Sequence, residues 1–267
     1  MISNKFIDNF NFKKKNIYIL GGSGLIGHKT SEIFLELKAN LIILDKQPPK
    51  NFICKAKFTF FKLDIADLEK IDFKQIFKKY GYPDALINTS YPRDENWKFS
   101  SFKDLTLLNL KNNVDLHMNS YAWTAKVFAD FMAKKKIKGS IVLLSSIYGF
   151  TGQDLSLYTN TNMHENAIYS LIKAGVINYV RQMCSYYGKY QIRVNCISPG
   201  GLYGHNAGTN SLKQNPIFLK KYCKKTPLSR LGHAEEVARL IVFITSNNAS
   251  YITGANLIID GGITSTL

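Results

Sequence analysis

Residues 169–175 read YSLIKAG and set a phenol and an ammonium four positions apart. On a helix, positions i and i+4 lie on one face, so Tyr169 and Lys173 would stand one turn from each other. A positive charge beside a phenol favours the phenolate and lowers its pKa from about 10. A phenol tuned in this way exchanges a proton with a hydroxyl or a carbonyl. The same two residues also suit plain packing, with the lysine extending its charge from a helix edge. The pair needs partners before it implies chemistry.

The partners are glycines. The apolar run NIYIL (16–20) ends in GGSGLIG, which supplies Gly21, Gly24 and Gly27. Glycines between a strand and a helix let the backbone turn tightly and approach a pyrophosphate, which the helix N-terminus then attracts. Asp45 closes the next apolar run, NLIILD. An acidic side chain there accepts hydrogen bonds from a ribose and repels a 2′-phosphate, so NAD is expected in preference to NADP. Lys46, the next residue, pulls the other way.

These residues sit at the ends of regularly spaced elements. Strands are expected at 16–20, 40–45, 57–64, 84–90, 139–146, 192–198 and 256–260. Helices are expected at 25–38, 67–80, 114–136, 165–187 and 233–246. Continuously apolar strands alternating with helices indicate a parallel sheet covered on both faces. The expected fold is therefore α/β, a doubly wound, mostly parallel seven-stranded sheet with helices on both faces. Residues 1–11 read as an N-terminal extension and 12–267 as a single cofactor-binding catalytic domain.

Composition removes other classes. Of 267 residues, 45% are apolar and 20% charged, ordinary for a globular chain. No run approaches the ~20 apolar residues of a membrane helix, and the N-terminus lacks the apolar core of a signal peptide. Cys54, Cys184, Cys196 and Cys223 form no metal or disulfide spacing, which fits a cytoplasmic protein without a metal site. The net charge is +16, but 30 of the 35 basic residues are lysines scattered along the chain. Nucleic-acid recognition favours arginine forks, so no nucleic-acid partner is expected. Attraction of an anionic substrate or cofactor is the milder reading of that charge.

GGSGLIG, LDIAD (63–67), SSIYG (145–149), YSLIK (169–173), RVNCISPGG (193–201), PLSRLGHAEEVA (227–238) and YITGANLIIDGG (251–262) follow one another in this order. The ordered set resembles the short-chain dehydrogenase/reductase family over nearly the whole chain, most closely its bacterial members linked to flagellin or surface-polysaccharide sugar biosynthesis. The resemblance implies a Rossmann-type domain and an NAD(P)-dependent oxidoreductase. By that resemblance Tyr169 is the catalytic acid/base, Lys173 lowers its pKa and binds the nicotinamide ribose, and Ser146 holds the reacting oxygen. Ser23, Leu25 and Ile26 within the glycine turn would border the cofactor, Asp64 and Ile65 its adenine. Asn88, Thr89 and Ser90 would line it after the fourth strand, and Pro199, Gly200 and Leu202 would border the nicotinamide.

The chain departs from the family pattern in five places, the first being a glycine turn spaced G-x-x-G-x-x-G, which resembles the family's extended members more than its short ones. The usual NNAG reads NTSY (88–91), and Gly204 stands where a threonine often follows the PG turn. The asparagine of the family's proton relay falls near His117, flanked by Asn113 and Asn119; a histidine can carry a proton or hold a water, and as a lone residue it equally suits packing. Ser146 and Tyr169 are roughly twice as far apart as usual, and the extra residues, DLSLYTNTNMHEN (154–166), read as a substrate-binding loop. With Asn160, Thr161, Asn162, His164 and Asn206 the loops suit a hydroxyl-rich ligand.

The expected activity interconverts a secondary alcohol and a ketone on a sugar or nucleotide sugar, in a homodimer or homotetramer paired through the helices near 114–136 and 165–187. The alternatives are a 3-oxoacyl-thioester reductase and a cofactor-binding regulatory protein that has lost catalysis.

Overall fold

The computed structural model describes residues 5–50, 52, 55–204 and 214–265. Seven strands form one sheet: β1 (Asn16–Leu20), β2 (Asn40–Asp45), β3 (Thr59–Lys62), β4 (Ala85–Asn88), β5 (Ser140–Leu144), β6 (Arg193–Pro199) and β7 (Asn256–Ile259). Their spatial order is β3-β2-β1-β4-β5-β6-β7, and every pairing is parallel. The chain winds outward from β1 to β3 and then returns to lay β4 on the other side of β1. Ligands of such sheets bind outside the carboxyl ends of the strands at that reversal.

The helices are α1 (Lys5–Asp8), α2 (Leu25–Glu36), α3 (Phe73–Tyr80), α4 (Leu107–Asn113), α5 (Ser120–Lys134), α6 (Ala167–Tyr187), α7 (Pro216–Lys225) and α8 (Ala234–Thr245). Because side chains alternate across a strand, β1 serves two cores at once. Tyr18 and Leu20 join Phe77, Phe128, Met132 and Val180 on the face covered by α3, α5 and α6. Ile17 and Ile19 join Phe34, Leu41, Val237 and Ile241 on the face covered by α2 and α8. Burial on both faces is why these strands are apolar without alternation.

Three elements differ from expectation. The helix expected to start at 114 begins at Leu107 and passes through a π-helical turn, Val114–Asn119, before continuing as α5. α7 occupies part of what reads as loop, announced by Asn215 as N-cap and Pro216 at the first helical position. Residues 5–11, expected to extend away from the domain, lie against it. Asn247 donates its N–H to Asn9 O, Asn9 Nδ2 donates to Asn248 Oδ1, and Phe10 packs on the core.

Candidate active site

A cleft of about 820 Å³ opens at the carboxyl ends of β1, β2, β4, β5 and β6. Its floor is the turn from β1 into α2. Gly21 has φ +73°, and a Cβ there would stand 2.6 Å from Ser90 N. A Cβ on Gly27 would fall 2.1 Å from Gly21 O. Gly27 does not line the cleft; it lets α2 pack against the turn. Gly24, the N-cap of α2, supplies no side-chain cap, and the first turn carries no acid. The helix thus offers its N–H groups and positive dipole end to an anion. A cradle that any side chain would fill fits the pyrophosphate of a dinucleotide.

Asp45 ends β2 inside the cleft, its Oδ2 accepting from Ser23 N at 3.0 Å and its Oδ1 from Lys46 N at 2.7 Å. Lys46 Nζ is drawn 2.8 Å from Asp64 Oδ2. Asp64, which the resemblance places by the adenine, caps the turn Ile65–Lys70 through Ala66 N and is not among the residues that line the cleft. Burial alone would raise the Asp64 pKa; the bonds from Lys46 and Ala66 reverse that and hold it below the ordinary carboxylate value. Ile65 does line the cleft.

The NTSY segment ties the glycine turn down. Thr89 Oγ1 donates to Leu20 O at 2.8 Å and reaches Gly21 O at 3.1 Å. Asn88 lies beneath, its Oδ1 accepting from Ser90 N and Ser90 Oγ. Ser90 O in turn accepts from the Tyr121 hydroxyl at 2.6 Å.

Ser146 follows β5, and Tyr169 and Lys173 project from the first turns of α6 into the same part of the cleft. The Ser146 hydroxyl stands near enough to the Tyr169 phenol to lower its pKa. Ser146 Oγ accepts from Tyr148 N at 3.2 Å. Lys173 is only 2% exposed; its Nζ donates to Leu144 O at 2.7 Å and lies 4.8 Å from the Tyr121 ring centre and 5.5 Å from that of Tyr169. Ser145 Oγ donates to Lys173 O, and a Cβ on Gly149 would stand 2.8 Å from that carbonyl, so strand end and helix are in close contact.

The expected lowering of the Tyr169 pKa is not found. Burial pushes the phenol above its ordinary value, partly offset by the Ser146 hydroxyl. Burial likewise pulls Lys173 down to about 7. Both groups are shifted towards their neutral forms because desolvation by burial dominates.

His117 lies on the π turn, fully buried and outside the cleft lining, with both ring nitrogens unpartnered among the described residues. Its ring meets Tyr91 at 5.4 Å and Tyr121 at 5.3 Å between centres. Burial and the neighbouring Lys173 push its pKa well below 6.5. Of its two readings His117 takes the second, a neutral ring packed among aromatics. Of the flanking asparagines, Asn113 is buried on Asp94 and Asn109, while Asn119 bonds Asp115 at the surface.

A search against protein-family models matches residues 23–264 to one described as "Enoyl-(Acyl carrier protein) reductase", a branch of the short-chain dehydrogenases/reductases. The chain belongs to the short-chain dehydrogenase/reductase family. It is an NAD(P)-dependent oxidoreductase. It is 28% identical over 260 residues to post-translational flagellin modification protein A of Campylobacter coli, covering 94% of this chain and 98% of that one. The 3-oxoacyl-[acyl-carrier-protein] reductase of Chlamydia muridarum is 29% identical over 93% of this chain and 97% of its own. A short-chain dehydrogenase of Leptospira borgpetersenii, solved with bound NAD+, superposes with a TM-score of 0.84 at 32% identity, covering 99% of this chain and 97% of that one.

In this dehydrogenase/reductase the far end of the cleft is built from Tyr91–Trp97, the 150–166 loop and α7. Tyr91 and Trp97 stand edge-on to Tyr169, at 5.9 and 6.3 Å between ring centres. Of the loop residues expected to meet a ligand, His164 lines the cleft, whereas Asn160, Thr161 and Asn162 do not; Asn206 lies outside the described residues. Gln153, Asn166 and Asn215, which lie in loops expected to frame the substrate but were not singled out, do line it. Asn166 and Asn215 were signalled as N-caps ahead of helical runs. Pro199, Gly200 and Leu202 line the cleft.

Proposed function

We propose that this enzyme interconverts a secondary alcohol and a ketone on a sugar or sugar derivative, with NAD preferred to NADP. The observation that carries the reading is the convergence of Ser146, Tyr169 and Lys173 in one cleft with the glycine turn. Gly21, Gly24 and the first turn of α2 hold the pyrophosphate, and Asp45 holds the adenosine ribose. When bound, the dinucleotide supplies the hydride acceptor or donor. Ser146 Oγ holds the reacting oxygen by a hydrogen bond. Tyr169 Oη gives that oxygen a proton in reduction and takes it in oxidation. Lys173, half-titrated near neutral pH, supplies positive charge beside the phenol when protonated. Asp45 in the cleft and the neutralisation of Lys46 by Asp64 support NAD, since neither leaves a cation for a 2′-phosphate.

The 3-oxoacyl-thioester alternative is supported by the Chlamydia relative. One screen separates the two. Free sugars, nucleotide sugars and acetoacetyl-CoA are offered with NAD(H) and NADP(H) while reduced-cofactor absorbance is followed. Turnover of acetoacetyl-CoA alone would replace the sugar reading.

Homo-oligomer formation through α5 and α6 is part of the same proposal, supported by exposed Trp123, Leu171 and Tyr186 on those helices. A monomer in light scattering at micromolar concentration would refute it. Among the described residues no helix is long and apolar enough to cross a membrane. A cytoplasmic site is proposed, where the free Cys184, Cys196 and Cys223 remain thiols.

A further inference from the structure

The end of the sheet opposite the cleft carries a charge that the chemistry does not use. Five strands begin level there: Asn16 pairs with Asn40, Ile17 with Ala85, Ala85 with Ser140 and Ser140 with Arg193. The segments that lead into them, 12–15, 37–39, 78–84, 134–139 and 188–192, hold 11 of the chain's 30 lysines in 25 residues. Compositional drift would spread lysines evenly, whereas this edge concentrates them. All of these lysines are exposed. The one acid in the same segments is Asp84, which accepts Lys15 Nζ and Asn16 N, both at 2.9 Å. Among the described residues Lys15 is the only lysine of the set in a salt bridge. Lys78, Lys79 and Lys134 lie in the last turns of α3 and α5, where a cation complements the helix dipole. That does not account for Lys14, Lys38 and Lys136, whose φ angles are 64°, 59° and 55°. Glycine or asparagine adopts this left-handed conformation at less cost, so backbone geometry does not call for lysine there either.

Apolar groups stand at the same end. Arg193, at the start of β6, donates to the carbonyls of Ile244, Thr245 and Ser246, which places the C-terminus of α8 beside this edge. α1 is fastened to the turn just beyond: Asn248 Nδ2 donates to Phe6 O and Asn9 Nδ2 to Asn248 Oδ1. Phe10 packs on the core, but Phe6 is left 60% and Ile7 72% exposed. Tyr82 and Tyr190, on the same edge, are also exposed, with the ammoniums of Lys135 and Lys189 at 4.8 and 5.1 Å from their ring centres. Side chains that join an apolar body to a polar tip suit a boundary between water and lipid.

We infer that this edge docks on an anionic lipid bilayer, with its lysines over the headgroup phosphates and Phe6 and Ile7 entering the acyl boundary. A lysine is a compact, strongly hydrated charge, suited to diffuse attraction by an anionic surface. Nucleic acid would be gripped by guanidinium forks, and the edge's one arginine, Arg193, is spent on backbone carbonyls. Apolar insertion combined with basic attraction is how surface-lying segments hold a membrane. Among the described residues no helix is long and apolar enough to cross a bilayer, so the attachment is peripheral. The cleft lies at the other ends of the strands and faces away from the lipid. The inference is independent of which substrate the cleft takes.

The test is sedimentation with vesicles of phosphatidylcholine alone and of an equal mixture with phosphatidylglycerol, at ~0.15 M salt, where the Debye length is about 8 Å. The protein should pellet with the anionic vesicles and stay in solution with the neutral ones. Salt at ~1 M, which shortens that length to about 3 Å, should release it. Lys14→Asn, Lys38→Asn and Lys136→Asn, made together, suit the left-handed backbone, so the fold is kept while affinity falls on the order of 100-fold. Lys98→Gln, Lys103→Gln and Lys220→Gln remove the same charge from exposed positions at the cleft end and should change affinity little. Phe6→Ser with Ile7→Ser should weaken binding on the order of tenfold through lost apolar burial. Circular dichroism checks that each variant is folded. No pelleting with anionic vesicles, indifference to lipid charge, equal losses from the two lysine triples, or no effect of the α1 pair would overturn the inference. Tighter binding to a DNA duplex than to vesicles at equal phosphate concentration would overturn it too, making the edge a nucleic-acid surface.

Discussion

Asn166 Oδ1 accepts the backbone N–H of Tyr169 at 2.8 Å, so the residue that ends the inserted loop also caps the helix carrying the phenol. Tyr169 is the third residue of α6, where a capping side chain bonds most directly. Gln153 grips Asn166 through both its N–H and its carbonyl. The chain of contacts from Gln153 through Asn166 to Tyr169 joins the shape of the loop to the position of the proposed proton exchanger.

Asn166→Ala should therefore have two effects. Loss of the cap lowers stability by about 1 kcal/mol, readable in urea denaturation. Turnover should fall as well, because the first turn of α6 is no longer held against the loop. Asn166→Asp, which can still cap, should recover both. Full turnover in the alanine variant would detach the loop from the placement of Tyr169.

Cofactor choice follows from Asp45 and from the ion pair beside it. NAD should bind more tightly than NADP, and Asp45→Ala should narrow the gap. Asp64→Asn should narrow it from the other side by releasing the Lys46 ammonium now held at 2.8 Å. Fluorescence titration of both reduced cofactors reads each change. A wild-type preference for NADP would overturn the ribose assignment of Asp45.

Much of this frame was legible because it depends on local pattern. Doubly buried strands must be apolar throughout, and a turn whose Cβ positions are already filled must be glycine, so β1, Gly21 and Gly27 were visible in the sequence. The order of motifs placed Ser146, Tyr169 and Lys173 together. What stayed hidden depends on burial and on long-range pairing. Spacing places Lys173 one turn from Tyr169, but only the fold shows that desolvation shifts both groups towards their neutral forms. The resemblance put Asp64 beside the cofactor, but nothing local reveals that Lys46 crosses to it. His117 stayed open between proton carrier and packed ring because the π turn that buries it has no recognisable sequence signature.

Lys173 also gives stability a pH dependence with a definite sign. Its ammonium persists to 10.5 in the unfolded chain but only to about 7 in the fold. Between those values the unfolded chain binds the extra proton, so stability from this residue is lowest at and below neutrality and rises with pH through the window. Lys173→Met removes that rise and, despite losing the bond to Leu144 O, should compare best with wild type at neutral pH and worst near pH 10. Urea denaturation across the window measures the difference. A stability gap independent of pH would mean that the buried amine keeps its ordinary pKa.

The sharpest prediction concerns the Tyr169 hydroxyl. Tyr169→Phe preserves the ring, its edge contacts with Tyr91 and Trp97, and the capped backbone N–H. Burial holds the phenol above its ordinary pKa, so the wild-type hydroxyl is neutral near pH 7 and able to donate a proton. Removing it should leave the fold and NAD affinity nearly unchanged while turnover falls ~10²–10⁴-fold, the usual cost of losing a general acid/base. Ser146→Ala should lower turnover less, since it removes a hydrogen bond to the reacting oxygen and leaves the proton source in place. Kinetics on any substrate found in the screen, with cofactor affinity measured alongside, separate the two variants. If Tyr169→Phe turned over nearly as well as wild type, the phenol would be a packed side chain and the proton would have to come from elsewhere in the cleft.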